Sequence, residues 1–170
     1  MAKLNRRAVF EAMLRAASAS LIELGLDRLG ALLGVTAVLH TWTQTLDFHP
    51  HVHCIATGGG WSCHDQRWVE GKRRYLLPVR ALGALFRGKL SHSLRALEHA
   101  AKLRLPDSGG QDDPQSFGNL MDRLYRRSWV VYAKRPFGGP EQVLRYLGRY
   151  ASVLSPRLVQ EFASARSRWA

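Results

Sequence analysis

The stretch His49-Pro50-His51-Val52-His53-Cys54-Ile55-Ala56 decides how the rest of the chain is read. One bulky apolar residue separates His51 from His53. On a β-strand, side chains two apart lie on one face. Both imidazoles therefore point the same way, and Val52 points the other way, into a core. Two imidazoles side by side on a rigid strand make half of a metal site. The remainder of the chain has to supply a further donor and a reaction.

Val35 to Leu46 is rich in Thr, Val, Leu and Trp and reads as a strand. One face carries Val38, His40, Trp42 and Gln44. The other carries Leu39, Thr41, Thr43 and Thr45. Asp47-Phe48-His49-Pro50 reads as a turn, since Asp starts turns and Pro fixes φ. His51 to Ala56 is then the antiparallel hairpin partner, and Thr57 to Gly60 ends it. Hard cations such as Mg²⁺ or Mn²⁺ prefer oxygen donors, and Mn²⁺ also accepts imidazole. Gln44 is the candidate oxygen donor for the histidine pair, with His40 and His49 as competitors. A His-x-His pair in isolation also fits an ordinary surface or core pair.

Outward from the hairpin, helical spacing predicts a helix over 7–26, with Phe10, Met13, Leu14, Ala17, Leu21 and Leu24 as its apolar stripe. Gly25 and Asp27-Arg28 mark its end, and Gly30 to Gly34 forms a link. Trp61 to Leu77 reads as a second short hairpin. Pro78 then opens a long basic amphipathic helix, with Leu82, Leu85, Phe86, Leu90, Leu94 and Leu97 on its stripe. Its basic residues are either a solvated face or phosphate contacts. Pro106 to Pro114 is a loop, followed by a short helix with Phe117, Leu120, Met121 and Leu124 inside. Ser128 to Lys134 carries a strong strand signal. Arg135 to Gly139 is a tight loop, and Pro140 opens a helix that Ser155-Pro156 ends.

Composition narrows the function classes. The chain has 170 residues, enough for one domain, and 46% of them are hydrophobic, enough for a real core. Lys and Arg number 25 against 13 Asp and Glu, a formal net charge of +12. Such a surplus favours a polyanionic partner, nucleic acid first and an anionic membrane surface next. The two cysteines, Cys54 and Cys63, form no Cys-x-x-Cys unit, which excludes a zinc ribbon. The longest apolar run, near 29–39, is too short to span a membrane. Glu11 and Arg15 interrupt what would be a signal-peptide core. The expected location is cytoplasmic, with nucleoid association when DNA is bound.

Tyr146 and Tyr150 are four apart on the last helix, hence on one face. They are either a packing pair or a pair of nucleophiles. A phenol oxygen can attack a phosphodiester and hold the DNA end as a phosphotyrosine, which conserves the broken bond's energy for rejoining. A cation that polarises the scissile phosphate completes such chemistry. Lys134, Arg135, Arg145 and Arg149 are candidate phosphate contacts. Trp42, Trp61, Trp68 and Trp129 are stacking surfaces for unpaired bases or boundary residues of the core.

Several stretches together carry a resemblance: 39–46, His49 to Cys54, Gly58-Gly59-Gly60, Leu77-Pro78-Val79-Arg80, Phe86-Arg87-Gly88-Lys89, Trp129 to Lys134, and Pro136 through Tyr150. In order and spacing the chain resembles the two-tyrosine HUH rolling-circle transposases of the insertion-sequence-91-like group, over residues 5–150. The resemblance implies an α+β fold: an antiparallel sheet with the His-x-His strand central, flanked by helices. It implies a divalent metal, Mg or Mn, held by His51, His53 and, by position, Gln44. It implies Tyr146 and Tyr150 as the catalytic tyrosines, acting on single-stranded DNA at transposon ends and target, with no membrane involved. The chain differs from the group in lacking a cysteine-rich zinc-binding region and an early strand before the first helix, and in its sequence after Tyr150. The expectation is therefore a partial catalytic core over 1–150 and a divergent basic tail over 151–170, in the manner of a truncated copy. Two rival readings are a catalytically inactive DNA-binding remnant of such a transposase and a metal-dependent hydrolase without tyrosine chemistry.

Overall fold

The computed structural model describes residues 2–42, 47–71, 76–105, 116–137 and 139–151, with the side chains of 140 and 147–151 outside that description. The chain divides into two compact units, Met1–Lys134 and Arg135–Ala170. The first holds α1 (Arg6–Leu29), β1 (Leu32–Trp42), β2 (Phe48–Ser62), β3 (Arg67–Glu70), α2 (Val79–His99) and α3 (Phe117–Arg126). The second holds α4 (Pro140–Ala151). The class is α+β, and the sheet is antiparallel in the order β1-β2-β3. The strand carrying His51 and His53 is therefore the central one.

The helix α1 is longer than its spacing predicts, and Gly25 does not end it. It runs to Leu29 and is closed by Gly30 in the left-handed conformation (φ 62°), whose N–H donates to the Leu26 carbonyl oxygen. Gly25 serves packing instead: a Cβ there would lie 2.7 Å from Leu33 Cγ. The expected single stripe is also replaced by two contact faces. Val9, Ala12 and Ala16 meet Leu90 and Leu94 of α2 and Met121 of α3. Leu21 and Leu24 meet Leu33 of β1, with Leu77 beside them. Small residues toward α2 let the two helices approach closely, while larger ones reach the sheet. At the start of α1, buried Asn5 accepts from the Arg104 N–H (2.6 Å) and donates to the Arg104 carbonyl oxygen (2.7 Å). This pair of bonds fastens the helix start to the chain that follows α2.

β1 and β2 extend beyond their expected limits. β1 begins at Leu32, within the expected Gly30–Gly34 link, and β2 runs from Phe48 to Ser62, through the glycine triplet that was expected to end it. The glycines widen the ladder instead of stopping it. Between the rungs Leu33↔Gly60 and Val35↔Ala56, one residue of β1 faces three of β2. Thr57 fills the gap: its Oγ1 accepts from the Gly34 N–H (3.0 Å) and donates to the Gly59 carbonyl oxygen (2.5 Å). A second irregularity lies between His40↔His51 and Trp42↔Phe48, where β2 carries Pro50, which has no N–H to give a ladder.

Ser128 to Lys134 has the expected alternation but is not a ladder strand. Trp129 and Val131 are half-buried, whereas Val130 and Tyr132 are 92% and 81% exposed. Trp129 stacks edge-on against Phe86 of α2 and donates from Nε1 to the Leu124 carbonyl oxygen (2.9 Å). One side of the segment packs on α2, and among the described residues no strand pairs with it. Pro78 caps α2, Ser116 Oγ caps α3 by accepting from the Asn119 N–H, and Pro140 opens α4 as its position predicts. No described helix is long and apolar enough to cross a membrane.

Candidate metal centre

The β1–β2 register builds the site. His40 pairs directly with His51, and Val38 with His53, so all four side chains share one sheet face. The opposite face, with Val35 and Cys54, packs into the core beneath α1 and α2. Burial pushes the Cys54 thiol up to about 11, which removes it as a thiolate donor. The ring centroids of His40 and His53 are 4.5 Å apart, those of His51 and His53 4.8 Å, and those of His40 and His51 5.4 Å. One ring nitrogen from each of the three can be chosen so that all lie within 4.8 Å of one another. Nitrogens bound to one metal at about 2.1 Å lie roughly 3.4 Å apart in a tetrahedral set, so small ring rotations close the gap.

The protonation of two of these rings suits ligation. His53 is held down to about 4, first by burial and then by the neighbouring His40, His51 and Lys134. His40 is also lowered, by burial first and by His51 second. Both imidazoles are neutral at pH 7 and offer a lone pair. His51 Nδ1 lies 2.7 Å from the His49 carbonyl oxygen. With Nδ1–H donating there, Nε2 is the ligand nitrogen, a common outer-shell arrangement for metal-binding histidines. His49 itself is exposed and lies outside the three-histidine cluster, because the irregularity at Pro50 displaces it from the regular ladder.

Of the residues read from sequence, His51, His53 and Lys134 come together here, Lys134 being close enough to His53 to depress its protonation. Gln44 lies outside the described residues. Its competitor His40 supplies the third donor of the cluster among the described residues. Arg135 is exposed in the second unit, as is Arg145 on α4. Tyr146 is half-buried on α4, with the Phe137 ring 5.4 Å away. The backbone of α4 includes Arg149 and Tyr150, whose side chains lie outside the described residues.

An antiparallel sheet with a histidine cluster on its central strand, in a strongly basic chain, defines an α+β protein of the kind that the motif order resembles. Residues 34–157 match the family described as "Putative transposase" (Y2_Tnp), and the chain belongs to that family of transposases. It is 39% identical over 172 residues to "Putative transposase y4qJ" of Sinorhizobium fredii (strain NBRC 101917 / NGR234), covering 97% of this chain and 43% of that protein. It is 27% identical over 157 residues to "Transposase for insertion sequence element IS801" of Pseudomonas savastanoi pv. phaseolicola, covering 85% of this chain and 34% of that protein. The chain thus spans less than half the length of either relative. No solved structure matches it.

Proposed function

We propose that the chain is the nicking and rejoining centre of a rolling-circle transposase, acting on single-stranded DNA through a 5′-phosphotyrosine with a divalent metal. The observation that carries this reading is the set of three imidazoles clustered on one face of the central strand, in a chain of the transposase family. A metal bound there supplies Lewis-acid polarisation of the scissile phosphate. His40, His51 and His53 hold it through ring nitrogens, with the His49 carbonyl fixing the ring of His51. Three imidazole donors disfavour Mg²⁺, which prefers oxygen, and favour Mn²⁺ of the two. Gln44 adds an oxygen donor in this reading.

The phenol oxygen of Tyr146 or Tyr150 attacks phosphorus. The phenol gives up its proton to solvent, the bond from phosphorus to the 3′ oxygen breaks, and the 3′ oxygen takes a proton from solvent and leaves as a hydroxyl. The new phosphotyrosine retains a phosphodiester's energy, so attack by a 3′-OH reverses the step and joins strands. The second tyrosine serves a second transfer. Lys134, Arg135, Arg145 and Arg149 contact DNA phosphates and fix the backbone in line for attack. The substrate is single-stranded DNA at the ends of the mobile element and at its target.

The test is covalent capture. Labelled single-stranded oligonucleotides from element ends, incubated with the chain and Mn²⁺, give an adduct that survives denaturing electrophoresis. The adduct is lost in His51→Ala and in Tyr146→Phe combined with Tyr150→Phe. An adduct that persists in the double tyrosine variant removes the nucleophile assignment. DNA binding without any adduct in the wild type supports the DNA-binding remnant instead.

A further inference from the structure

We propose that Leu32, Trp61 and Trp68 form a base-stacking row for single-stranded DNA on the sheet face that carries the three histidines. The proposal rests on the single-strand DNA reading above and adds a binding surface to it. Leu32 pairs with Trp61 across β1 and β2, and Trp61 pairs with Trp68 across β2 and β3. The three side chains therefore stand side by side in one row across all three strands. Their exposures are 44%, 44% and 45%. A protein that leaves two indoles and a leucine in one half-exposed row is showing a flat apolar surface to a partner.

The row shares the histidines' face. Leu32 and Val38 are six residues apart on β1, an even number, and Val38 is the rung partner of His53. The widened rung at Thr57 preserves this, because β1 and β2 both place an odd number of residues between their paired positions. Six residues of extended strand are about 20 Å, the length of about six nucleotides stacked at 3.4 Å each. One strand of DNA can therefore lie on the row while its scissile phosphate reaches the histidines. Gly59 makes the row flat. A Cβ there would meet the Val69 carbonyl oxygen and lie 2.9 Å from Trp68 Nε1, so the Trp68 indole lies against bare backbone. The charge of the chain, +12, selects a polyanion with unpaired bases over an apolar protein segment as the occupant.

The experiment measures affinity for fluorescein-labelled oligothymidylate by anisotropy, in the full chain, for wild type, W61A/W68A and W61F/W68F. Mn²⁺ affinity and the thermal midpoint are measured on the same samples. Stacking on aromatic side chains predicts roughly 5- to 100-fold weaker binding in W61A/W68A. The slope of log affinity against log salt stays unchanged, because no phosphate contact is removed. W61F/W68F stays close to wild type, and Mn²⁺ binding is unaffected in both. Equal affinities for wild type and W61A/W68A overturn the row and leave the nicking reading intact. A wild-type chain that binds no single-stranded DNA overturns both. Sedimentation showing a wild-type dimer that W61A/W68A converts to monomer assigns the row to self-association and overturns the proposal.

Discussion

Replacing His40 with alanine removes one of three nitrogen donors while leaving the β1–β2 backbone ladder in place. Calorimetric titration with Mn²⁺ should show a loss in affinity exceeding the ~10- to 100-fold typical of removing an outer-shell partner. Equal affinity in wild type and His40→Ala would exclude His40 from the centre. His49→Ala should matter far less, because it is the backbone carbonyl of His49 that meets His51. Asn5 makes a different kind of contribution. Its side chain satisfies both the N–H and the carbonyl of Arg104, so Asn5→Ala strands two polar groups beside a buried position. A loss of about 1–3 kcal/mol in urea-induced unfolding follows, with no change in metal affinity.

At the scale of elements, β2 divides its chemistry by alternation: His51 and His53 on one face, Cys54 on the other, in the core. Native protein treated with a thiol reagent should therefore modify exposed Cys63 quickly and Cys54 only after unfolding, as mass spectrometry of the tryptic peptides would read out. Much of this was legible in the sequence, because alternation needs no knowledge of partners. Which of His40 and Gln44 stands beside the pair was left open by alternation, because it depends on register, and Gln44 lies outside the described residues. A turn at Asp47–Pro50 puts Gln44 opposite His53 and His40 opposite Thr57. The observed ladder continues to Phe48 and sets His40 opposite His51. The limits of α1 were hidden for a related reason. Gly25 is a turn signal locally, yet its missing side chain makes room for Leu33. Gly25→Ala should accordingly destabilise the fold by about 1–3 kcal/mol through crowding, despite alanine's higher helix propensity. A raised denaturation midpoint would show that Leu33 can yield.

At the scale of the whole molecule, both core clusters draw, among the described residues, on positions up to Trp129, within the first compact unit. A chain ending at Lys134 should keep a cooperative unfolding transition and the Mn²⁺ affinity of the full chain, yet form no covalent DNA adduct, since both tyrosines are gone. Loss of Mn²⁺ affinity on that truncation would place a required donor beyond Lys134. One feature of the sheet bears on how such a protein behaves in concentrated solution. β3 pairs only with Gly59–Ser62, so among the described residues no strand lines the β2 edge from Phe48 to Thr57. Val130 and Tyr132 are exposed on a second stretch that, among the described residues, pairs with no strand. Strand edges of this kind recruit one another between molecules and seed aggregates. A charge of +12 keeps copies apart in dilute buffer, but at 0.1 M salt repulsion reaches only about 10 Å. The same salt that loosens DNA should therefore turn the solution cloudy, and a lysine in place of Val130 should clear it.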